Sequence, residues 1–344
     1  MIDLSSFPRV DLCHQPTPLE PMLRMTEHLG GPEIRIKRDD CTGLATGGNK
    51  TRKLEFLIGE ALAQNADLVV TQGAVQSNHV RQTAAAACRH ALDCHGLLER
   101  RVPDAAPNYE ATGNVFLDQM FGASLEFRPP GLDMNNEAEI ATEKLRAQGR
   151  KPYFIPGGGS NEIGALGYVV CAMELEAQSQ ASGKPIDWLV MGTGSTGTQA
   201  GLVAGLHAIG SSIRVMGVSV RQNKETQIKA VHALTEKVAA KIGTTSVPVS
   251  KVMVDDGYVG DGYGIPAPST LDAVMLAARM DAILLDPVYS GKGFAGLIGL
   301  VRSGFFSADD TVAFLHTGGS AALFAYEDTF SNIMTVESAE KTSA

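Results

Sequence analysis

The stretch Thr46-Gly47-Gly48-Asn49-Lys50-Thr51-Arg52-Lys53 puts a lysine behind a flexible glycine turn and in the first turn of a helix. A cation there opposes the helix dipole at a cost of roughly a few tenths of a kcal/mol, so its placement asks for a reason. One reading makes Lys50, Arg52 and Lys53 a solvated charged face. The other makes one of them a Schiff-base lysine, its amine pKa lowered by burial and neighbouring cations so that it can attack an aldehyde. Asn49-Lys50-Thr51 also spells a glycosylation acceptor, which is used only in a secreted chain.

A second chemistry-bearing segment is Gly192-Thr193-Gly194-Ser195-Thr196-Gly197-Thr198, directly after an apolar strand and before a helix beginning near Gln199. Its free N–H groups and the positive helix end form a phosphate cradle, with hydroxyls from Thr193, Ser195, Thr196 and Thr198 to assist. The same residues fit the G-x-G-x-x-G dinucleotide pattern, a weak signal by itself. The following strand runs into Arg221 and Gln222 rather than an acid, which disfavours NAD and leaves NADP open. A plain tight turn is the bland alternative, but it requires fewer hydroxyls than this one carries.

Three further loops follow strands, where open α/β sheets place ligands. In Gln76-Ser77-Asn78-His79-Val80-Arg81, Ser77 or Asn78 caps a helix whose N–H groups, with His79, could receive a carboxylate. The others are Asp286-Pro287-Val288-Tyr289-Ser290-Gly291-Lys292-Gly293 and His316-Thr317-Gly318-Gly319-Ser320. Lys292 lacks the spacing of a P-loop. Cys88, His90, Cys94 and His95 contain no C-x-x-C pair, so buried thiols are expected and a metal is not.

These loops need strands and helices to aim them. Leu54, Leu57, Ile58, Ala61 and Leu62 lie on one helix face, and Leu68–Val70 reads as a buried strand. Helix 79–92, strand 94–98, helix 109–120, strand 124–127, helix 137–147 and strand 152–155 alternate after it. That succession requires a parallel sheet with crossover helices. The loop Pro156-Gly157-Gly158-Gly159-Ser160-Asn161 closes the block and marks a domain boundary. A second block has helix 165–178, strand 188–191, strand 213–220, a helix from Lys224, strand 252–254, helix 269–280, strand 283–285, helix 293–301 and strand 312–315. The tail after Asn332 reads as weakly ordered.

With 344 residues, 44% of them hydrophobic and 19% charged, the chain can bury one large core or two joined ones. The balance of 29 basic against 38 acidic residues, net −9, argues against a sequence-independent hold on nucleic acid. No apolar run is long enough to span a membrane. An odd cysteine count of 5 and no signal-like opening suggest a reduced, cytoplasmic protein. Thirty-seven glycines beside a single tryptophan suit the many tight turns of an α/β fold.

Taken together, IKRDDCTGLATGGNKTRKLEFL, TQGAVQSNHVRQTAA, YFIPGGGSNEIGALGY, GTGSTGTQAGLVAG, DGYGIP, LLDPVYSGKG and FLHTGGSAALF resemble the fold-type II pyridoxal phosphate enzymes. The likeness is to the D-cysteine desulfhydrase and 1-aminocyclopropane-1-carboxylate deaminase group, and within it to the L-cysteate sulfo-lyases. It runs from about residue 10 to residue 330. The resemblance implies a tryptophan synthase β-like fold with two open, mostly parallel α/β sheets. It places a large domain at residues 1–54 and 165–344, a small one at 55–164, and pyridoxal 5'-phosphate in the cleft between them. It implies that Lys50 carries the cofactor, that Asn78 bonds its ring hydroxyl, that Gly192 to Thr198 bind its phosphate and that Thr317 lies near the ring nitrogen.

Ser77, Tyr263 and Tyr289 would then face a small anionic amino-acid substrate, with Asn78 and His79 at its carboxylate. The Gly157–Asn161 loop, Gly159 included, and Arg81 are candidates for a substrate sulfonate. The base at Cα would be Lys50, with Ser77 or Tyr289 as rivals. The expected reaction is β-elimination to pyruvate and ammonia, with sulfite leaving L-cysteate or sulfide leaving D-cysteine. The cyclopropane-opening relatives carry glutamate after the tyrosine where this chain has Ser290, which speaks against ring opening. A homodimer is the implied assembly.

Overall fold

The computed structural model describes residues 2–343, those from 336 onward by backbone alone. Ten strands are present among them: β1 Leu19–Pro21, β2 Glu33–Arg38, β3 Leu68–Ala74, β4 Asp93–Glu99, β5 Ser124–Arg128, β6 Pro152–Ile155, β7 Trp188–Thr193, β8 Arg214–Ser219, β9 Met253–Asp255 and β10 Thr311–His316. They form two sheets. A four-stranded sheet has the order β5-β4-β3-β6 and is parallel throughout. A six-stranded sheet has the order β1-β2-β10-β7-β8-β9. Only the short β1 runs antiparallel in it, against β2.

The side-chain alternation of β10 shows how the larger sheet is held. Val312 and Phe314 pack into one apolar cluster with Val190, Val218 and Phe294. Ala313 and Leu315 point the other way, into a second cluster with Leu189, Leu202 and Tyr168. Both faces are therefore covered by helices, as a parallel sheet requires. The smaller sheet does the same, sending Val69 to the cluster under helix Lys50–Ala63 and Leu68 with Val70 to the opposite face.

Helix Lys50–Ala63 departs from its amphipathic expectation. Leu54, Leu57, Ile58 and Ala61 are buried as the periodicity predicts, while Leu62 stands exposed. The polar face is buried too, which overturns the solvated-face reading of Arg52 and Lys53. The helix packs against the helices Asn78–Arg89 and Leu166–Ala181, so its charges are met by protein. Arg52 forms a fork with Asp39 and reaches Glu174. Glu55 accepts from Arg9 and from the Leu12 and Cys13 amides.

Other expectations need correction. Ile283–Leu285 forms no strand. Its buried–exposed–buried pattern imitates one, but the larger sheet already ends at β9. The helix expected from Tyr109 begins only at Gly113, because Gln76 draws the Tyr109 and Thr112 carbonyls into a turn. Residues 19–38, unassigned from sequence, supply β1, the helix Leu23–Leu29 and β2. The tail after Asn332 continues the helix Glu327–Ser343. Cys88 is exposed rather than buried, whereas Cys94 is buried. Among the described residues no helix is long and apolar enough to cross a membrane, and no cluster of three or more His, Cys, Asp or Glu could hold a metal ion.

Candidate active site

The C-terminal ends of the strands in both sheets open onto one cleft of about 310 Å³. It is lined by the end of β3 and its loop (Gln72 to Ala74, Ser77, Asn78, His79), the loop after β6 (Gly157, Gly158, Ser160) and the turn after β7 (Gly194, Ser195, Thr196). Arg101 follows β4, Arg221 follows β8 and Thr317 follows β10. Backbone N–H groups and helix starts face ligand at such ends, which is why a parallel sheet collects its site there.

Lys50 enters the cleft from the first turn of its helix. Its Nζ donates to Asn49 Oδ1 at 2.9 Å and lies 5.7 Å from the centre of the Tyr289 ring. Burial, opposed by the charge of Asp286 and reinforced by that of Arg81, pulls the amine down to about 8. Asn49 in turn donates to Thr198 Oγ1, tying the lysine to the helix behind the glycine turn. Arg81 braces the loop before Lys50, donating to the Ala45 and Gly47 carbonyls and to Thr46 Oγ1. Ala45 and Thr46 both sit at positive φ there, a conformation that side chains other than glycine's adopt only under constraint. Arg81 therefore holds backbone; it does not line the cleft, which corrects its assignment as a sulfonate ligand.

The glycine turn divides. Gly194, Ser195 and Thr196 line the cleft, with Thr196 held at φ 71. The other predicted members stand behind it. Thr193 Oγ1 accepts from Gln227, and Thr198 Oγ1 from Asn49. A Cβ on Gly192 would lie 3.0 Å from the Tyr289 ring. Gly197 donates its N–H to Ser160 Oγ, and a Cβ there would meet Ser160 Oγ at 2.9 Å and Lys53 Nζ at 3.0 Å. Gly158, at φ +68, closes over the same turn, where a side chain would strike Ser195 Oγ at 2.4 Å. Lys53 donates to the Gly158 carbonyl, so a buried cation backs the turn, its pKa pressed well below normal by burial and by Lys50. Gly159 is buried against Leu57 and Lys53 and does not line the cleft, contrary to expectation; Gly157, Gly158 and Ser160 do.

Ser77 caps the helix Asn78–Arg89, accepting from the Val80 amide at 3.3 Å. His79 pairs its Nε2 with Thr71 Oγ1, and burial with the nearby Lys50 and Lys53 charges keeps it neutral. It lines the cleft at the helix start as a neutral ring, beside the helix N–H groups. Tyr289 and Tyr263 form one wall. Burial raises both hydroxyls above their ordinary value, so they keep their protons. The Asp286 carboxylate anchors Tyr289 by accepting from the Val288, Tyr289 and Ser290 amides and from Ser290 Oγ. Ser290 Oγ also accepts from the Asp286 amide, so its proton is committed within the turn, and Thr317 is the one of the two that lines the cleft. Sequence reasoning did not anticipate Asn49, Gln72, Asn135 or Arg101, and weighed Arg221 only as a strand-end residue bearing on a dinucleotide; the position of the two arginines just past strand ends was the signal available.

Chemically, the arrangement offers a partly neutral amine, a turn suited to a phosphate, a helix start suited to a carboxylate, and cations at the rim. Residues 10–318 match the family model described as pyridoxal-phosphate dependent enzyme. The chain is 46% identical over 324 residues to a D-cysteine desulfhydrase of Yersinia enterocolitica, covering 94% of this chain and 97% of that one. It is 44% identical to a D-cysteine desulfhydrase of Serratia proteamaculans with the same coverage. Among solved structures it superposes on an ACC deaminase homologue with a TM-score of 0.85 at 36% identity, over 95% of this chain and 96% of that one. O-ureido-L-serine synthase follows at 0.64 and 17% identity over 90% of this chain and 92% of that one, a likeness of fold.

Proposed function

The chain belongs to the pyridoxal-phosphate dependent enzymes of fold type II, and from that premise we propose that it eliminates a sulfur group from the β-carbon of a cysteine-like amino acid. The cofactor is pyridoxal 5'-phosphate, and the residues fit it. Lys50 supplies the amine for its aldehyde. Gly194, Ser195 and Thr196 supply a turn that no larger residue at 197 or 158 would leave open for its phosphate, and Thr317 and Asn78 supply polar groups for its ring. The bound cofactor contributes an electron sink for the pair released at Cα.

The observation that carries the reading is the Lys50 amine, buried in the cleft beside Tyr289 with its pKa lowered to about 8. Ser77, Asn78 and the helix start at His79 receive the substrate carboxylate and fix Cα. Lys50 Nζ, poised near neutrality, takes the Cα proton, the work for which such a pKa is suited. Tyr289 and Tyr263, held protonated, shape the wall and are poor rivals as bases. The C–S electron pair leaves with sulfur, and water converts the released 2-aminoacrylate to pyruvate and ammonium. Sulfite and thiolate are stable anions, so the commitment of Ser290 to Asp286 costs the reaction no needed acid.

The finer reading is L-cysteate with release of sulfite, supported by a cleft whose charged lining side chains are Lys50, Arg101 and Arg221, with no carboxylate among them. D-cysteine with release of sulfide is the second reading, favoured by the name of the Yersinia relative. An oxidoreductase using the same glycine turn finds no support beside a buried lysine and this family. Pyruvate release from L-cysteate, D-cysteine and L-cysteine by the holoenzyme tests the proposal. Turnover of one of them that vanishes in Lys50→Ala is expected; pyruvate from none would sink it.

A further inference from the structure

Two guanidiniums in the cleft have no part in the steps above. Arg101 comes from the smaller sheet, just past β4, and Arg221 from the larger one, just past β8, so each sheet contributes one cation to the same cavity. Arg101 is anchored. Its Nε donates to Glu99 and its guanidinium lies 5.2 Å from the centre of the Tyr263 ring. Glu99 spends its other oxygen on the Gly131 amide. Arg221 is different: the residue is exposed, and its guanidinium has neither a hydrogen-bond nor an ion-pair partner among the described residues. The charge of Arg101 is near enough that, after burial, it is the next cause holding Arg221 below an ordinary arginine.

Like charges brought together in a cavity repel unless an anion completes them. The protein answers only Arg101, through Glu99, whose charge also acts on Arg221 without pairing with it; no Asp or Glu side chain lines the cleft, and Asp286 is committed to its own turn. The other anions of the reaction are accounted for elsewhere, the carboxylate at the helix start after Ser77 and the cofactor phosphate at Gly194 to Thr196. That leaves Arg221, exposed in the cleft and unpaired, open to an anion the substrate brings. A thiol is too small and too weak an acceptor to need two guanidiniums. A sulfonate has a permanent charge and three oxygens, the geometry a guanidinium fork binds with paired hydrogen bonds.

We propose that Arg221, with Arg101 as its anchored partner, holds the sulfonate of a β-sulfonated amino acid and so sets the substrate class of this cleft. The proposal rests on the elimination reading given above. Its test compares holoenzyme, Arg221→Gln and Arg221→Lys. Pyruvate formation is followed with L-cysteate, D-cysteine, β-chloroalanine of each hand and O-phospho-L-serine. Calorimetry measures binding of 3-sulfopropanoate and of propanoate, neither of which can react.

The ratio of kcat/KM for L-cysteate to that for β-chloroalanine should fall roughly 100-fold in Arg221→Gln, mostly through KM, because a site built around hydrogen bonds loses most when they go unmade. Arg221→Lys should recover part of it. The holoenzyme should bind 3-sulfopropanoate at least about tenfold more tightly than propanoate, and Arg221→Gln should erase that difference. An unchanged ratio, an unchanged preference for 3-sulfopropanoate, or dependence on Arg221 for O-phospho-L-serine rather than L-cysteate would overturn the assignment. Turnover of β-chloroalanine and D-cysteine without L-cysteate would overturn it while leaving elimination intact. Pyruvate from no substrate would instead remove the elimination reading, and the calorimetry would still decide the sulfonate seat.

Discussion

The state of Lys50 can be tested before any substrate is known. The amine is held down to about 8 from 10.5, chiefly by burial, with Arg81 adding to the shift and Asp286 opposing it. At pH 7 an amine of pKa about 8 is roughly 9% neutral and one near 10.5 only about 0.03%, a ratio of roughly 300 in reactive nucleophile. Cofactor-free protein mixed with pyridoxal phosphate should therefore develop its visible band at a rate that climbs about tenfold per pH unit and levels near pH 8. Lys53 provides a demanding control, since burial and Lys50 press its pKa well below normal too. Its Nζ, however, is engaged with the Gly158 carbonyl and does not line the cleft. If placement and not basicity selects the nucleophile, borohydride trapping and peptide mapping will find the label on Lys50, in wild type and in Lys53→Met alike. A rate still rising at pH 10, or label on Lys53, would refute this reasoning.

Arg52→Met takes from the buried Asp39 its ion-pair partner while Glu174 keeps Lys37, and should lower unfolding free energy by about 3 kcal/mol in urea titration. Burial tends to raise Asp39 and Glu174, but Arg52, helped by Lys37, overrides it and holds both below their ordinary values. Depressed carboxylates stabilise the fold above their unfolded pKa values and lose that contribution as pH falls through the folded ones. The wild type should thus weaken on acidification below about pH 4, and the Arg52→Met variant should show a shallower or reversed acid slope. Asp286→Ala strips the acceptor from three amides and a hydroxyl in the turn that carries Tyr289; a loss of roughly 3 kcal/mol is expected, with kcat falling further than global stability explains. Gly158→Ala, forced to keep φ near +68 with its Cβ on Ser195 Oγ, should weaken cofactor binding at least about tenfold by equilibrium dialysis while leaving the fold intact.

What the sequence disclosed, and what it withheld, follow from the range of the interactions involved. Strand–turn–helix units such as Trp188 through Ala208 are specified locally: an apolar run, glycines and hydroxyls at the bend, then a helix. Lys50 and the glycine turn were legible for the same reason. The polar face of helix Lys50–Ala63 was misread because Arg52 finds its partners 13 and 122 residues away, and periodicity carries no record of contacts across such separations. That Arg101 and Arg221 share a cleft was hidden for a related reason, although Arg221 had been noted at its strand end. Each looks like an ordinary surface cation within its own loop, and their meaning arises only when the two sheets, joined through a shared apolar cluster, bring the ends of β4 and β8 to one cavity. Local chemistry, then, marks where such a chain can hold a cofactor, while the long-range assembly of like charges sets which substrate it can accept. The first should therefore survive substitutions at the rim that abolish the second.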